Sequence, residues 1–177
     1  MRDIGWAALA AGLALAGAAR AAVIDAQPWG FQVESKVEIA APAPKVWTAL
    51  GDIGGWWDSE HSWSGNAKNL SLELKPGGCW CEALPDGGGA RHMTVIFTQP
   101  AKTAIMEGTL GPLMFSGAAG HMVWSLAEKD GVTSLTQDYY VGGYFPGGFD
   151  KLAPAVDEVA GAQLVRLKAF VETGKPG

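Results

Sequence analysis

The last third of a helical turn pattern constrains this chain more than anything before it. From Asp150 to Thr173, Leu152, Val156, Val159, Gln163, Leu167 and Phe170 recur at spacings of three and four, the period of an amphipathic helix. Asp157, Glu158, Arg166, Lys168 and Glu172 fall on the polar face, and Gly174 with Pro176 closes the segment. A long helix with one apolar face has to lay that face against another layer of structure. What precedes it supplies the layer.

From Phe31, the run FQVESKVEIA sets Val33, Val37 and Ile39 against Glu34, Lys36 and Glu38, the alternation of a strand with one solvated face. Ala41-Pro42-Ala43-Pro44 stops it and opens a short helix, KVWTALGD, with Val46, Trp47 and Leu50 on one side. Gly51 to Gly55 ends that helix and leads into DIGGWWDSEHSWSG, which carries three tryptophans. Strand-like runs follow at 69–75, 79–84, 92–98, 103–109, 121–129 and 132–141, separated by turn signals such as Pro76-Gly77-Gly78 and Asp130-Gly131. LGPLMFSGAAG reads as an apolar loop. The expected class is α+β: a curved antiparallel sheet of about seven strands wrapped around the C-terminal helix, with two short helices after the first strand. The gap between sheet and helix is the natural place for a ligand.

The chain has 177 residues, 48% hydrophobic and 18% charged, enough for one domain with its own core. A net charge of −5 without a Lys/Arg run argues against a nucleic-acid partner. At the start, Ile4 to Ala19 is apolar, and Ala19-Arg20-Ala21 places small residues where a signal peptidase reads. The run is short for spanning a hydrocarbon core of roughly 30 Å. Residues 1–21 are therefore expected to be a signal peptide cleaved between Ala21 and Ala22. That leaves 22–177 as a single periplasmic or secreted domain without stable membrane insertion. Only two cysteines exist, Cys79 and Cys81. Two apart on a strand, they share a face, and a bond between them would need distorted backbone; the expectation is two reduced, half-buried thiols.

IAAPAPKVWTALGDIGGWWD, LELKPGGCWCEA and the closing LVRLKAFVETG resemble the SRPBCC superfamily of START-like, birch-pollen-allergen-like helix-grip domains. The resemblance spans Phe31 to Lys175, and the branch it resembles is the polyketide cyclase/dehydrase and chaperone-ATPase-activator-like group. It implies a helix-grip fold. It leaves function open among carriers, receptors, cyclases and chaperone cofactors, and an export signal argues against a cytosolic chaperone partner.

Ligand-lining candidates are the aromatic and thioether side chains Trp56, Trp57, Trp63, Trp80, Met93, Phe97, Met122, Trp124, Tyr140 and Tyr144. Strand parity turns Met93, Val95 and Phe97 inward, with Met122, Trp124 and Leu126, and therefore His92 and His121 outward. Large rings with flexible thioethers suit an adaptable apolar pocket. Candidate acid–base groups are Glu82, whose facing is undecided, His61 beside Asp58 and Glu60, and Tyr139. No phosphate loop, dinucleotide fingerprint, nucleophile elbow or zinc spacing is present, so neither cofactor nor metal is expected. These readings converge on an exported protein that binds a hydrophobic small molecule of lipid, polyketide-like or aromatic kind. The alternative is a cyclase/dehydratase-type enzyme using the same cavity.

Overall fold

The computed structural model describes residues 20–177. Its strands are β1 (Arg20–Gln27), β2 (Gly30–Ile39), β3 (Leu70–Leu72), β4 (Cys79–Ala83), β5 (Gly89–Gln99), β6 (Thr103–Gly108), β7 (Gly117–Lys129) and β8 (Val132–Tyr144); its helices are α1 (Ala43–Gly51), α2 (Ile53–Trp56) and α3 (Ala153–Thr173). All strand pairs are antiparallel, in the order β1-β2-β8-β7-β6-β5-β4-β3. The strand count is eight rather than about seven. The addition is β1, whose RAAVIDAQ shows no clean alternation and which lies at the sheet edge, almost wholly exposed. Residues 1–19 of the expected signal peptide lie outside the described residues, and the expected cleavage point falls within β1. Among the described residues no helix is long and apolar enough to cross a membrane.

β2, β7 and β8 each bury one parity. On β2, Phe31, Val33, Ser35, Val37 and Ile39 are buried; on β8, Thr133, Leu135, Gln137, Tyr139 and Val141; on β7, Gly120, Met122, Trp124 and Leu126. These faces line the concave side, against which α3 packs at β1 and β2. The loop expected from Leu110 to Gly120 is a single-turn 3-10 segment, Gly111–Phe115, followed directly by the start of β7.

Helix ends are set by local turn residues together with partners far along the chain. Pro44 sits in the first turn of α1, and the Ala43 amide donates to Glu128 Oε2 at 2.8 Å, which satisfies one amide the helix cannot. α3 starts three residues later than its pattern predicts and ends at Gly174, whose φ of 79° is the left-handed cap that glycine accommodates. Near that end, Glu172 accepts the Ala40 amide at 2.7 Å and Lys168 donates to the Glu38 carbonyl at 2.6 Å, fastening the helix to the end of β2.

Two bulges in β5 override strand parity. Trp80 pairs with Met93 but Cys81 pairs with Arg91, so His92 is the extra residue. Val95 pairs with Met106 but Phe97 pairs with Ile105, so Ile96 is the extra residue. The first bulge turns His92 inward beside Met93, against the outward expectation. The second turns Phe97 out to solvent, against the inward one. On β4, Trp80 and Glu82 face in, while Cys79 and Cys81 share the outer face and form a disulfide with their Cα atoms 5.3 Å apart. The expectation of free thiols is thus corrected: that separation lies within bridging range.

Candidate functional site

Four tryptophans form a continuous stack through the concave side. Trp56 meets Trp57 edge-on with centroids 5.6 Å apart, Trp57 meets Trp80 at 5.0 Å, and Trp80 lies 6.0 Å from Trp124. Offset and edge contacts of this kind exploit the ring quadrupole. Three of the four indole N–H groups have partners: Trp56 donates to the Ala49 carbonyl at 2.8 Å, Trp57 to the His61 carbonyl at 3.0 Å, and Trp124 to Gln137 Oε1 at 2.8 Å. The fourth, Trp80 Nε1, is buried without one.

The segment after α2 would be a free loop but for two anchors. On the helix side, the Asp58 amide donates to Gln163 Oε1 at 2.9 Å, and Arg166 Nε donates to the Trp56 carbonyl at 3.1 Å. On the sheet side, Glu82 accepts the Trp63 amide at 3.1 Å and the Ser64 amide at 2.6 Å, and its Oε2 lies 3.0 Å from His92 Nε2. Burial alone would raise the Glu82 pKa. The hydrogen bonds from Ser64, the Trp63 amide and His92 outweigh it and hold the carboxyl below its usual range. An ionised Glu82 can only accept a hydrogen bond, so Nε2 carries the hydrogen it donates and, in the neutral His92 ring, Nδ1 is the lone-pair nitrogen. Nδ1 is buried and has no protein partner.

Between this loop, the 3-10 segment 111–115, the sheet and α3 lies a cavity of about 370 Å³. Its wall is predominantly apolar: Trp57, Leu70, Trp80, Leu110, Leu113 and Met122 from one side, Leu152, Ala155, Val156 and Val159 from the helix side. Val156 and Val159, read as core positions in the helical pattern, are only partly buried because they face this space. The buried part of the polar lining is His92, Gln137 and Tyr139; Glu60, His61 and Ser62 of the 59–62 turn line it as well and are more exposed. Tyr139 O accepts the Leu110 amide at 3.1 Å, leaving its hydroxyl hydrogen unassigned, and burial pushes the phenol pKa up, so it remains a donor. At the mouth, Trp63 packs against Phe115 with centroids 5.2 Å apart, and Trp63 Nε1 lies 3.4 Å from Met114 Sδ.

Of the candidates named from sequence, Trp57, Trp63, Trp80, Met122, Tyr139 and His61 line the cavity. Trp56, Met93 and Trp124 are buried behind it. Phe97, Tyr140 and Tyr144 are 47%, 42% and 70% exposed, outside the cavity: Phe97 through the bulge at Ile96, and Tyr140 through β8 parity, which sends Tyr139 inward instead. Glu82 lies one layer behind the wall, its oxygens occupied. His61 is exposed and its ring pairs with neither Asp58, which caps the 59–61 turn by accepting the Glu60 amide at 3.0 Å, nor Glu60. The histidine that has a buried carboxylate partner is His92. His92, Gln137 and the helix residues 152–159 were not singled out as site residues. Gln137 carries a legible signal, as a polar residue on the apolar parity of β8. His92 carries none, because a bulge depends on the partner strand. Among the described residues no three His, Cys, Asp or Glu side chains converge as a metal site would require.

No family model and no curated protein matches the sequence. Solved structures do. CalU16 from Micromonospora echinospora is similar with a TM-score of 0.59 at 14% identity, over 89% of this chain and 88% of that one. A conserved protein of unknown function from Enterococcus faecalis gives 0.55 at 22% identity, over 84% and 75%. DynU16, a protein in the dynemicin biosynthetic locus, gives 0.52 at 22% identity, over 82% of this chain and 48% of that one. At these identities the likeness is one of fold: a curved sheet closed on a C-terminal helix.

Proposed function

We propose that this chain is an exported SRPBCC-type protein that binds a hydrophobic small molecule in the cavity between its sheet and α3. The observation that carries the reading is the cavity itself, about 370 Å³ with a predominantly apolar wall and three buried polar side chains, His92, Gln137 and Tyr139. That is the composition of a site binding by apolar burial and orienting by a few hydrogen bonds. At about 25 cal/mol per Å² of apolar area removed from water, a ligand of two or three fused rings gains several kcal/mol from burial alone. The fold-level likeness to DynU16, a protein in a biosynthetic locus, is in keeping with a small-molecule ligand, and the tryptophan-rich wall favours an aromatic or polyketide-like one. Export rests on the apolar run 4–19 and the small residues at Ala19 and Ala21.

Native mass spectrometry of the protein purified from its own source tests the carrier reading. A co-purifying mass lost on denaturation is expected, and Trp57→Ala, which removes a wall, should retain less of it. A wild-type protein that is empty and takes up no aromatic probe would overturn it.

The His92–Glu82 pair favours a second reading, a cyclase/dehydratase-type enzyme in which His92 moves the proton. Under it, His92→Phe abolishes turnover of a polyketide-like substrate while leaving its binding in place.

A further inference from the structure

Cys79 and Cys81 are the only cysteines of the chain, and their bridge does little of what a structural disulfide does. A cross-link constrains the unfolded chain more the longer the loop it closes, and this loop has only Trp80 between its ends. β4 is already held on both sides, by β3 and β5. The two Cα atoms stand 5.3 Å apart, where two residues of an extended strand span about 6.4–6.8 Å. The pairing with β5 slips by one residue between Trp80 and Cys81, inside the ring. The bond thus lies across a break in the ladder instead of reinforcing it.

Its surroundings suit a reactive sulfur pair. Both cysteines are half-buried on the outer face of the sheet. Cys81 stands opposite Ser71 on β3 and Arg91 on β5, both exposed, and among the described residues Arg91 belongs to no salt bridge. Cys79 stands opposite Thr94, with the exposed Glu107 one strand further on. A free cation beside one sulfur and a carboxylate on the side of the other make a thiolate more stable on Cys81 than on Cys79. We propose that Cys79–Cys81 is a redox-active disulfide that exchanges with an external dithiol. A thiolate of the dithiol attacks Cys79 Sγ and forms a mixed disulfide there. The Cys79–Cys81 bond breaks, and its electron pair leaves on Cys81 Sγ beside Arg91; the thiol that gives the more stable thiolate leaves faster. The second thiol of the dithiol, as its thiolate, then attacks the sulfur bound to Cys79, closes its own disulfide and releases Cys79, and both cysteines take up a proton. The protein is reduced by two electrons and the dithiol is oxidised by two. The assignment does not depend on what the cavity holds.

Dithiothreitol is the probe. The folded full chain is incubated with it at pH 7, quenched with iodoacetamide and weighed. Two added alkyl groups are expected while the circular dichroism spectrum stays native, and oxidised glutathione should restore the bridge. A bridge that resists until urea unfolds the chain overturns the proposal, as do two alkyl groups found before any reductant is added. With the monothiol glutathione, acid quenching and fragmentation of the peptide holding both cysteines should place the adduct on Cys79. An adduct on Cys81 overturns the assignment of the leaving thiolate. Arg91→Gln is expected to slow reduction several-fold at pH 7, and Arg91→Lys, which keeps the cation, to hold most of the wild-type rate. Equal rates in wild type and a folded Arg91→Gln overturn the role given to Arg91. The wild-type measurement reads the proposal even if a variant fails to fold.

Discussion

Glu82 ties the loop after α2 to the sheet through the Trp63 and Ser64 amides. It is 2% exposed yet ionised, because two consecutive backbone amides and an imidazole meet its oxygens. Hydrogen bonds to a charged group contribute about 1.5–3 kcal/mol, so Glu82→Gln should destabilise the protein by roughly that amount at neutral pH. The dependence on pH has a definite sign. The folded carboxyl titrates below the ordinary value of 4.5, so its stabilisation is complete above that value and is lost as the pH falls through the folded one. Urea denaturation at pH 7 and at pH 3.5 should therefore show the gap between wild type and Glu82→Gln narrowing on acidification. Glu172, also held below its usual range despite burial, by the Ala40 amide and Lys168, is present in both proteins and cancels. A gap that stays constant would mean Glu82 is not the ionised anchor of the loop.

At the scale of elements, the mouth of the cavity is a contact between two loops, closed by Trp63 against Phe115. An aromatic pair of this kind contributes about 0.5–1.5 kcal/mol, enough to slow exchange without holding the fold together. Trp63→Ala is expected to leave thermal stability within a few degrees of wild type while raising both association and dissociation rates of an aromatic probe several-fold in stopped-flow measurements. Unchanged rates would place the entry elsewhere. A second element, β1, packs against α3. A methyl built on Gly161 of α3 would meet only Ala21 Cβ, at 2.9 Å. In a protein beginning at Ala22 that obstacle is gone, and Gly161→Ala should stabilise by up to about 1 kcal/mol through helix propensity. In a protein that keeps Ala21 the same change should give no gain. Comparing melting temperatures of the two lengths, beside the N-terminal mass of exported material, checks both the packing and the cleavage point.

At the scale of the whole molecule, the described residues form one sheet closed on one long helix, with a space between them that packing has left unfilled. The outer face carries the Cys79–Cys81 disulfide, away from that space. Thiol titration of the non-reduced, denatured protein should accordingly find no free cysteine; two thiols would contradict the bridge. Periodicity alone was enough to read the α+β class, the C-terminal helix and the inward parity of β2 and β7, because side-chain direction in a strand or helix depends only on residue spacing; on β8 it left open which of Tyr139 and Tyr140 faces in. Tryptophan density marked the loop at 56–63 with Trp57 and Trp63, and strand parity marked Met122; the facing of Trp80 was no more legible than that of Glu82, with which it shares a face. The facing of Glu82, the inward turn of His92, the outward turn of Phe97 and the company His61 keeps were not legible. Each is decided by a partner far along the chain: a bulge exists only relative to the strand it pairs with, and Glu82 finds its amides 18 and 19 residues away. Local spacing determined the layers of this protein. Only the tertiary structure decided which polar groups meet between them, because hydrogen-bond partners are chosen across the sheet, where sequence spacing has no say.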